Sequence, residues 1–350
     1  MTKAQSPEPE ARSPEPEADS AAQFVTLADI QAAADRIRPA ARVTPLVEAQ
    51  WPAWPGADGG ARVADRSIFL KCENFQPMGA FKMRGAVNML ARLPAEALRR
   101  GVITYSSGNH GQAVALAARM LGAPAVIVMP TTAPTVKVEG VKSYGAEAVF
   151  AGTTSRDRQA RAEELAAERG LTIVPPFDHP WIIEGQGTTG LEILDQCPDV
   201  AAVVVGVGGG GLASGLATAI KARKPEVRII GVEPEGAPKM TRSLAAGHPI
   251  VLESSASIAD GLMNVRPGDL TFAHVRRFVD EVVTVADPVI ERAVQWLFRR
   301  AKIVAEPSGA INVAAVALGL GGVREVNGPV VAIVSGGNVE PALFARLITA

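Results

Sequence analysis

Short apolar runs and amphipathic stretches alternate along most of this chain of 350 residues. The runs at 101–105, 125–129, 148–150 and 171–174 are brief and rich in β-branched residues, which suits strands. Between them, 113–121, 136–144 and 156–170 carry apolar residues at helical spacing. The alternation resumes after Pro175-Pro176. It predicts helix 184–196, strand 201–207, helix 212–223, strand 227–232, helices 287–302 and 310–318, and a last strand 330–334. Near-continuous apolar strands separated by amphipathic helices indicate parallel sheets covered on both faces. The fold expected is α/β, with two doubly wound lobes and mainly parallel sheets. The lobes divide as a large domain from 23–96 and 176–350 and a small domain from 97–175, preceded by a disordered tail at 1–22.

The tail repeats Ser6-Pro7-Glu8-Pro9-Glu10-Ala11 as Ser13-Pro14-Glu15-Pro16-Glu17-Ala18. Such a stretch buries too little apolar surface to order itself, and it lacks the basic start and apolar centre of a secretory signal. Thr26 reads as the N-cap of a helix at 27–37, followed by an extended segment at 44–47. Residues 49–64 read as a long surface loop whose Trp51 and Trp54 have no evident role. An apolar run at 67–70 then leads through Pro77 and Gly79 into a helix at 81–90.

Charge narrows the function classes. Lys plus Arg number 35 and Asp plus Glu 36, a balance that argues against a dedicated nucleic-acid binder. Two cysteines, Cys72 and Cys197, make neither a disulfide framework nor a zinc cluster and read as packing residues. A reducing cytoplasm is the expected compartment, and no apolar run is long enough to span a bilayer. His179, His248 and His274 lack metal-like spacing and read as loop or surface residues, so no metal site is expected.

Candidate chemistry gathers where predicted strands end, the usual ligand location in doubly wound sheets. Lys82 falls in the first turn of a predicted helix between Phe81 and Met83. A positive helix end and apolar neighbours both disfavour its charged form, leaving an amine able to attack a carbonyl. Ser106-Ser107-Gly108-Asn109-His110-Gly111 follows one strand, and consecutive amides at a helix start suit a carboxylate or phosphate. Four glycines, Gly208, Gly209, Gly210 and Gly211, lie between another strand and Leu212. They allow close wrapping of a phosphate. Gly206, Gly208 and Gly211 also fit G-x-G-x-x-G, with Glu233 about 20 residues on, so this stretch alone leaves an NAD-dependent dehydrogenase open. Ser335 ends the last strand, where its hydroxyl suits a pyridine nitrogen. Glu306-Pro307-Ser308-Gly309 either orients a ligand group or caps a helix.

Taken together with Gly79-Ala80-Phe81-Lys82-Met83-Arg84-Gly85-Ala86, Gly185-Gln186-Gly187-Thr188, Asp260-Gly261 and Ser335-Gly336-Gly337-Asn338, these motifs resemble the fold-type-II pyridoxal-phosphate enzymes of the serine/threonine dehydratase and serine racemase family. The resemblance implies a tryptophan-synthase-β-like architecture whose large domain binds the cofactor, pyridoxal 5'-phosphate. It implies that Lys82 forms the Schiff base and later acts as general base. Phe81 packs on the ring, Asn109 binds its hydroxyl, Gly208, Gly209, Gly210, Gly211 and Leu212 hold the phosphate, and Ser335 faces the ring nitrogen. Ser106, Ser107, Gly108, Asn109 and His110 hold the substrate carboxylate, with Ser107 a second catalytic candidate. The activity implied is dehydration and deamination of L-threonine or L-serine. Alternatives within the family are a serine racemase or a dehydratase of another β-hydroxy amino acid such as threo-3-hydroxyaspartate. A homodimer acting on a small amino acid, without nucleic-acid or membrane partners, is expected. The family's cation site maps to Glu233 and Ala237, but Lys239 stands where animal racemases carry a carboxylate, so magnesium or calcium dependence is not expected. Pro77 replaces a lysine linked to nucleotide activation, so ATP control is not expected. From the short segment after the last strand, no isoleucine-sensing domain is expected.

Overall fold

The structure, a computed structural model, describes residues 24–52, 67–106, 108–133 and 135–349. The predicted tail at 1–22, Trp54 with most of the predicted loop, and Ser107 lie outside the described residues. In chain order the strands are β1 (Leu46–Gln50), β2 (Ser67–Cys72), β3 (Val102–Thr104), β4 (Ala125–Met129), β5 (Glu147–Phe150), β6 (Thr172–Ile173), β7 (Ala202–Gly206), β8 (Arg228–Pro234), β9 (Glu281–Val285) and β10 (Val330–Val334). The helices are α1 (Leu27–Ile37), α2 (Lys82–Ala91), α3 (Ala95–Arg100), α4 (Asn109–Met120), α5 (Thr135–Ser143), α6 (Ser155–Arg169), α7 (Pro180–Gln196), α8 (Gly211–Arg223), α9 (Lys239–Ala246), α10 (Asp269–Phe278), α11 (Asp287–Trp296), α12 (Pro307–Leu318) and α13 (Pro341–Thr349).

Two sheets result. One has six strands in the order β1-β2-β10-β7-β8-β9, parallel except for β1; the other has four parallel strands in the order β5-β4-β3-β6. Side chains alternate across the central strands as the period of two requires. Ala202 and Val204 of β7, with Val330, Ala332 and Val334 of β10, pack against Ile311 and Ala314 of α12. Val203, Val205, Val331 and Ile333 turn the other way, onto Leu216 and Ile220 of α8. In the smaller sheet Ile103, Val126 and Val128 pack on Ala162 and Leu165 of α6, while Val102, Ala125 and Met129 share a core with α2 and α4. The parallel strands place their carboxyl ends, and with them the motifs that follow β2, β3, β7 and β10, in loops at one edge of each sheet.

Local signals explain several boundaries. Thr26 and Asp29 form a capping box at the start of α1, and Thr154 and Asp157 do so for α6, which Gly170 ends in a left-handed turn. Where the pattern misled, a long-range contact decided. The predicted loop begins later than expected, because Ala49 and Gln50 pair antiparallel with Ile68 and Ser67. Trp51 is buried against Ile68 and Leu70 in the core. Two helices start earlier than the apolar pattern shows: α4 at Asn109 and α7 at Pro180. The second is capped by His179, whose Nδ1 accepts from Trp181 N at 3.1 Å. His274 is not at the surface. It is buried in α10, where Nε2 accepts from Val25 N at 3.0 Å, so the ring proton sits on Nδ1 and is donated to Leu270 O. His248 is exposed, and both cysteines are free and buried.

Candidate active site

Lys82 is the first residue of α2, after Phe81 at the N-cap. Its Nζ donates to Pro176 O at 2.6 Å and lies 5.1 Å from the Phe81 ring centroid. Burial pulls the amine down to about 8. The next residue after Pro176, Phe177, lies directly on the glycine loop. A Cβ at Gly209 would come within 2.3 Å of the Phe177 ring. Lys82 and the loop 208–211 are therefore brought together through one two-residue segment.

The loop itself is an anion cradle. Gly210, the N-cap of α8, has φ +102°, a conformation that favours glycine. Among the described residues, no group accepts from the main-chain amides of 208–213, Leu212 included; the first internal bond of α8 is Ser214 N to Gly210 O at 2.9 Å. Buried amides without acceptors are costly and uncommon. A run of them at a helix start is complementary to a phosphate. Phe177 covers this loop, and Thr271 Oγ1 donates to Gly209 O at 2.6 Å. Nothing in the sequence couples 177 or 271 to 209, and sequence reasoning missed both.

A second uncapped helix start belongs to α4. Gly108 N donates to Ser106 Oγ at 3.3 Å, while the amides of Asn109, His110 and Gly111 have no acceptor among the described residues. The His110 ring turns inward and donates Nε2–H to Val174 O at 3.0 Å. Burial first, then the Lys82 charge, pushes its pKa down to about 3, so the ring stays neutral. The His110 amide is left for a ligand.

Asn109 is fixed from two sides. Its Nδ2 donates to Glu306 Oε1 at 2.6 Å, and its Oδ1 accepts from Asn338 Nδ2 at 2.8 Å, which also donates to Met78 O at 2.8 Å. One Asn109 N–H is left over. Glu306 does not cap α12 with its side chain. Burial, aided by Asp260 and opposed by the Asn109 bond, raises its carboxyl to about 8. Ser335 follows β10, accepts from Phe81 N at 3.0 Å through its carbonyl, and donates its hydroxyl to Ser308 O at 3.3 Å. Residues 78–82, 106, 108–110, 176–177, 306–308 and 335–338 thus form one connected set.

The dehydrogenase reading fails on Glu233. That carboxylate is fully buried and accepts from Met240 N, Thr241 N and Thr241 Oγ1, each at 2.8 Å, and pairs with Lys239 at 3.0 Å. It has no oxygen free for a ribose. Among the described residues no group of three or more His, Cys, Asp or Glu could hold a metal ion.

Comparison with known proteins agrees with this arrangement. Residues 37–336 match the family described as pyridoxal-phosphate dependent enzyme. An L-threonine ammonia-lyase of Thermotoga maritima is 45% identical over 289 residues, 82% of this chain and 71% of that protein. A catabolic L-threonine dehydratase of Staphylococcus aureus (strain N315) is 42% identical over 320 residues, 91% of this chain and 90% of that one. The structure of maize serine racemase superposes with a TM-score of 0.85 at 39% identity, covering 93% of this chain and 97% of that one. A lysine with a lowered pKa, a glycine loop of acceptorless amides and a match spanning nearly the whole fold lead to one conclusion: the chain belongs to the pyridoxal-phosphate-dependent enzyme family.

Proposed function

We propose that the chain is an ammonia-lyase that converts L-threonine, or L-serine, to the corresponding 2-oxo acid and ammonia. The observation that carries the reading is the Lys82 amine, held to about 8 beside a loop of acceptorless amides, in a chain 45% identical to an L-threonine ammonia-lyase. Pyridoxal phosphate, when bound, supplies an aldehyde for the substrate's amino group and a ring that draws off the charge left by a departing α-proton. The chain's residues do the rest. The amides of 208–213 take the phosphate. Lys82 Nζ accepts the α-proton, as its lowered pKa allows near neutral pH. The free amides at the start of α4 bind the substrate carboxylate, together with Ser106 and Ser107. Asn109 turns its remaining N–H to a ring oxygen, and Ser335 turns its hydroxyl from Ser308 O to the ring nitrogen. The β-hydroxyl leaves as water, and hydrolysis releases ammonia and the 2-oxo acid. A homodimer in the cytoplasm completes the proposal, to be tested by sedimentation and fractionation. Among the described residues, no helix is long and apolar enough to cross a membrane.

The test incubates purified enzyme and cofactor with L-serine, L-threonine, their D-isomers and threo-3-hydroxyaspartate, following 2-oxo acid and inverted isomer together. Oxo acid from L-threonine or L-serine with little D-isomer is expected. D-serine formed faster than pyruvate would overturn the reading in favour of racemisation, the second reading, which the likeness to maize serine racemase supports. In that case Ser107 becomes the opposite-face acid.

Two further outcomes are expected. Covalent uptake of pyridoxal phosphate by apo-protein should speed up as pH rises through about 8, because the attacking form of Lys82 is the neutral amine. Stopped-flow absorbance between pH 6.5 and 9 checks this, and a flat profile would refute the assignment. Gly209→Ala should weaken cofactor binding by about tenfold or more, since the added Cβ meets the Phe177 ring at 2.3 Å. Spectrophotometric titration of the apo-protein measures it.

A further inference from the structure

Lys239 is fully buried, and four oxygens surround its Nζ. They are Val207 O at 2.7 Å, Leu262 O at 2.9 Å, Glu233 Oε1 at 3.0 Å and Ala237 O at 3.3 Å. Every one is an acceptor. A neutral amine would turn its lone pair on one of them, whereas an ammonium meets the four oxygens with three N–H groups, one of them shared. Burial lowers the pKa of this amine, and the Glu233 carboxylate works against that shift. The all-acceptor cage selects the charged form. Glu233 is itself held by the amides of Met240 and Thr241 in the first turn of α9, so one negative charge balances one positive charge.

Two of the four oxygens flank the glycine loop. Val207 directly precedes Gly208. Leu262 follows Gly261, whose carbonyl would lie 3.1 Å from a Cβ at Gly208. The Val207 carbonyl and the Gly208 amide belong to one planar trans peptide. Holding that oxygen toward Lys239 points the Gly208 N–H the opposite way. Thr271 does the same one peptide pair later, by holding Gly209 O and so turning the Gly210 N–H.

We propose that the Lys239 ammonium is a built-in cation that positions the phosphate loop, in place of any bound metal ion. The donor set does not fit a divalent ion. It has a single carboxylate, and its centre is taken by the Lys239 amine. Glu235, the other nearby carboxylate, is exposed and makes no contact with the cage. Lys239 is thus a positioning residue, acting on the cofactor through Val207 and Gly208. The inference rests on the reading of 208–213 as the phosphate seat.

The experiment titrates pyridoxal phosphate into apo-protein of the wild type, Lys239→Met, and the double variant Lys239→Met/Glu233→Gln, which removes both charges. Thermal midpoints are recorded alongside. Lys239→Met is expected to raise the Kd for pyridoxal phosphate by about tenfold or more, the scale of lost charge-assisted bonds. The double variant should regain thermal stability but not affinity. Wild-type affinity should change less than about twofold with EDTA, magnesium or calcium. A double variant that binds as tightly as wild type would reduce the pair to a purely structural one and overturn the proposal. So would a wild type that loses affinity to chelator and regains it with calcium, an arm that needs no variant to fold. Failure of the wild type to bind pyridoxal phosphate at all would instead refute the phosphate-seat reading, so the two failures are told apart.

Discussion

Lys82→Ala should abolish covalent attachment of pyridoxal phosphate and lower turnover at least about 10³-fold, within the usual range for loss of a general base. The substitution removes one hydrogen bond, to Pro176 O, and the contact with the Phe81 ring, and the fold should survive. Noncovalent binding should survive as well, because the amides of 208–213 are untouched. Borohydride treatment followed by peptide mass analysis checks it. Wild type should carry the reduced cofactor on the Lys82 peptide, and the variant should carry none. A variant that keeps a tenth of wild-type turnover would remove Lys82 from the chemistry.

The second large effect lies two residues along the same helix. Arg84 is buried and spans two carboxylates. Nε and Nη2 donate to Glu73 at 2.7 Å each, and Nη1 and Nη2 donate to Glu192 at 2.6 and 2.9 Å. Lys71 completes the group, donating to Glu192 Oε2 at 2.5 Å and to Thr44 O at 2.8 Å. Burial opposes the Arg84 charge, but the carboxylates outweigh it and hold the guanidinium above its ordinary range. The network fastens β2, α2 and α7 to one another and so sets where Lys82 stands. Arg84→Ala leaves Glu73 and Glu192 without their main partner and should cost about 3–5 kcal/mol. By contrast, Arg169→Ala breaks an exposed pair with Glu147 and should cost less than about 1 kcal/mol. Thermal midpoints of the two variants decide. Similar losses would mean that the buried network adds nothing special.

The same network bears on acid stability. Burial pushes the Glu73 carboxyl up, but Arg84 and its neighbours more than offset this and lower it below its ordinary value of 4.5. A depressed folded pKa means stability that is complete above the ordinary value and lost as pH falls through the folded one. The contribution of Glu73 to stability should therefore be lost only below about pH 4.5.

How much was legible follows from the range of each interaction. Strands β4 and β10 fall where valine-rich runs predict them, because their apolar pattern is a local property. Helix α1 starts at its expected cap, because a capping box spans only four positions. Helix α4 starts four residues before the apolar pattern shows it, because its first turn is polar and glycine-rich. The cluster of motifs at strand ends was visible, since a doubly wound sheet dictates where ligands go. What Glu306 does was not. The choice between capping α12 and holding Asn109 depends on a partner 197 positions away. Nor did the spacing from Gly206 to Glu233 separate two cofactors, because a fingerprint records distance along the chain and not which side chain closes on Glu233.

The sequence by itself determined the α/β alternation, the glycine loop and the lysine at a helix start, because these depend on neighbours within a few residues. Tertiary structure alone decided that Phe177 covers the loop, that Arg84 joins Glu73 to Glu192, and that Lys239 fills a cage of four oxygens. Burial and the orientation of a peptide plane arise only when distant segments meet, and those two quantities set the charge on Lys82 and Lys239 and the direction of the loop's amides.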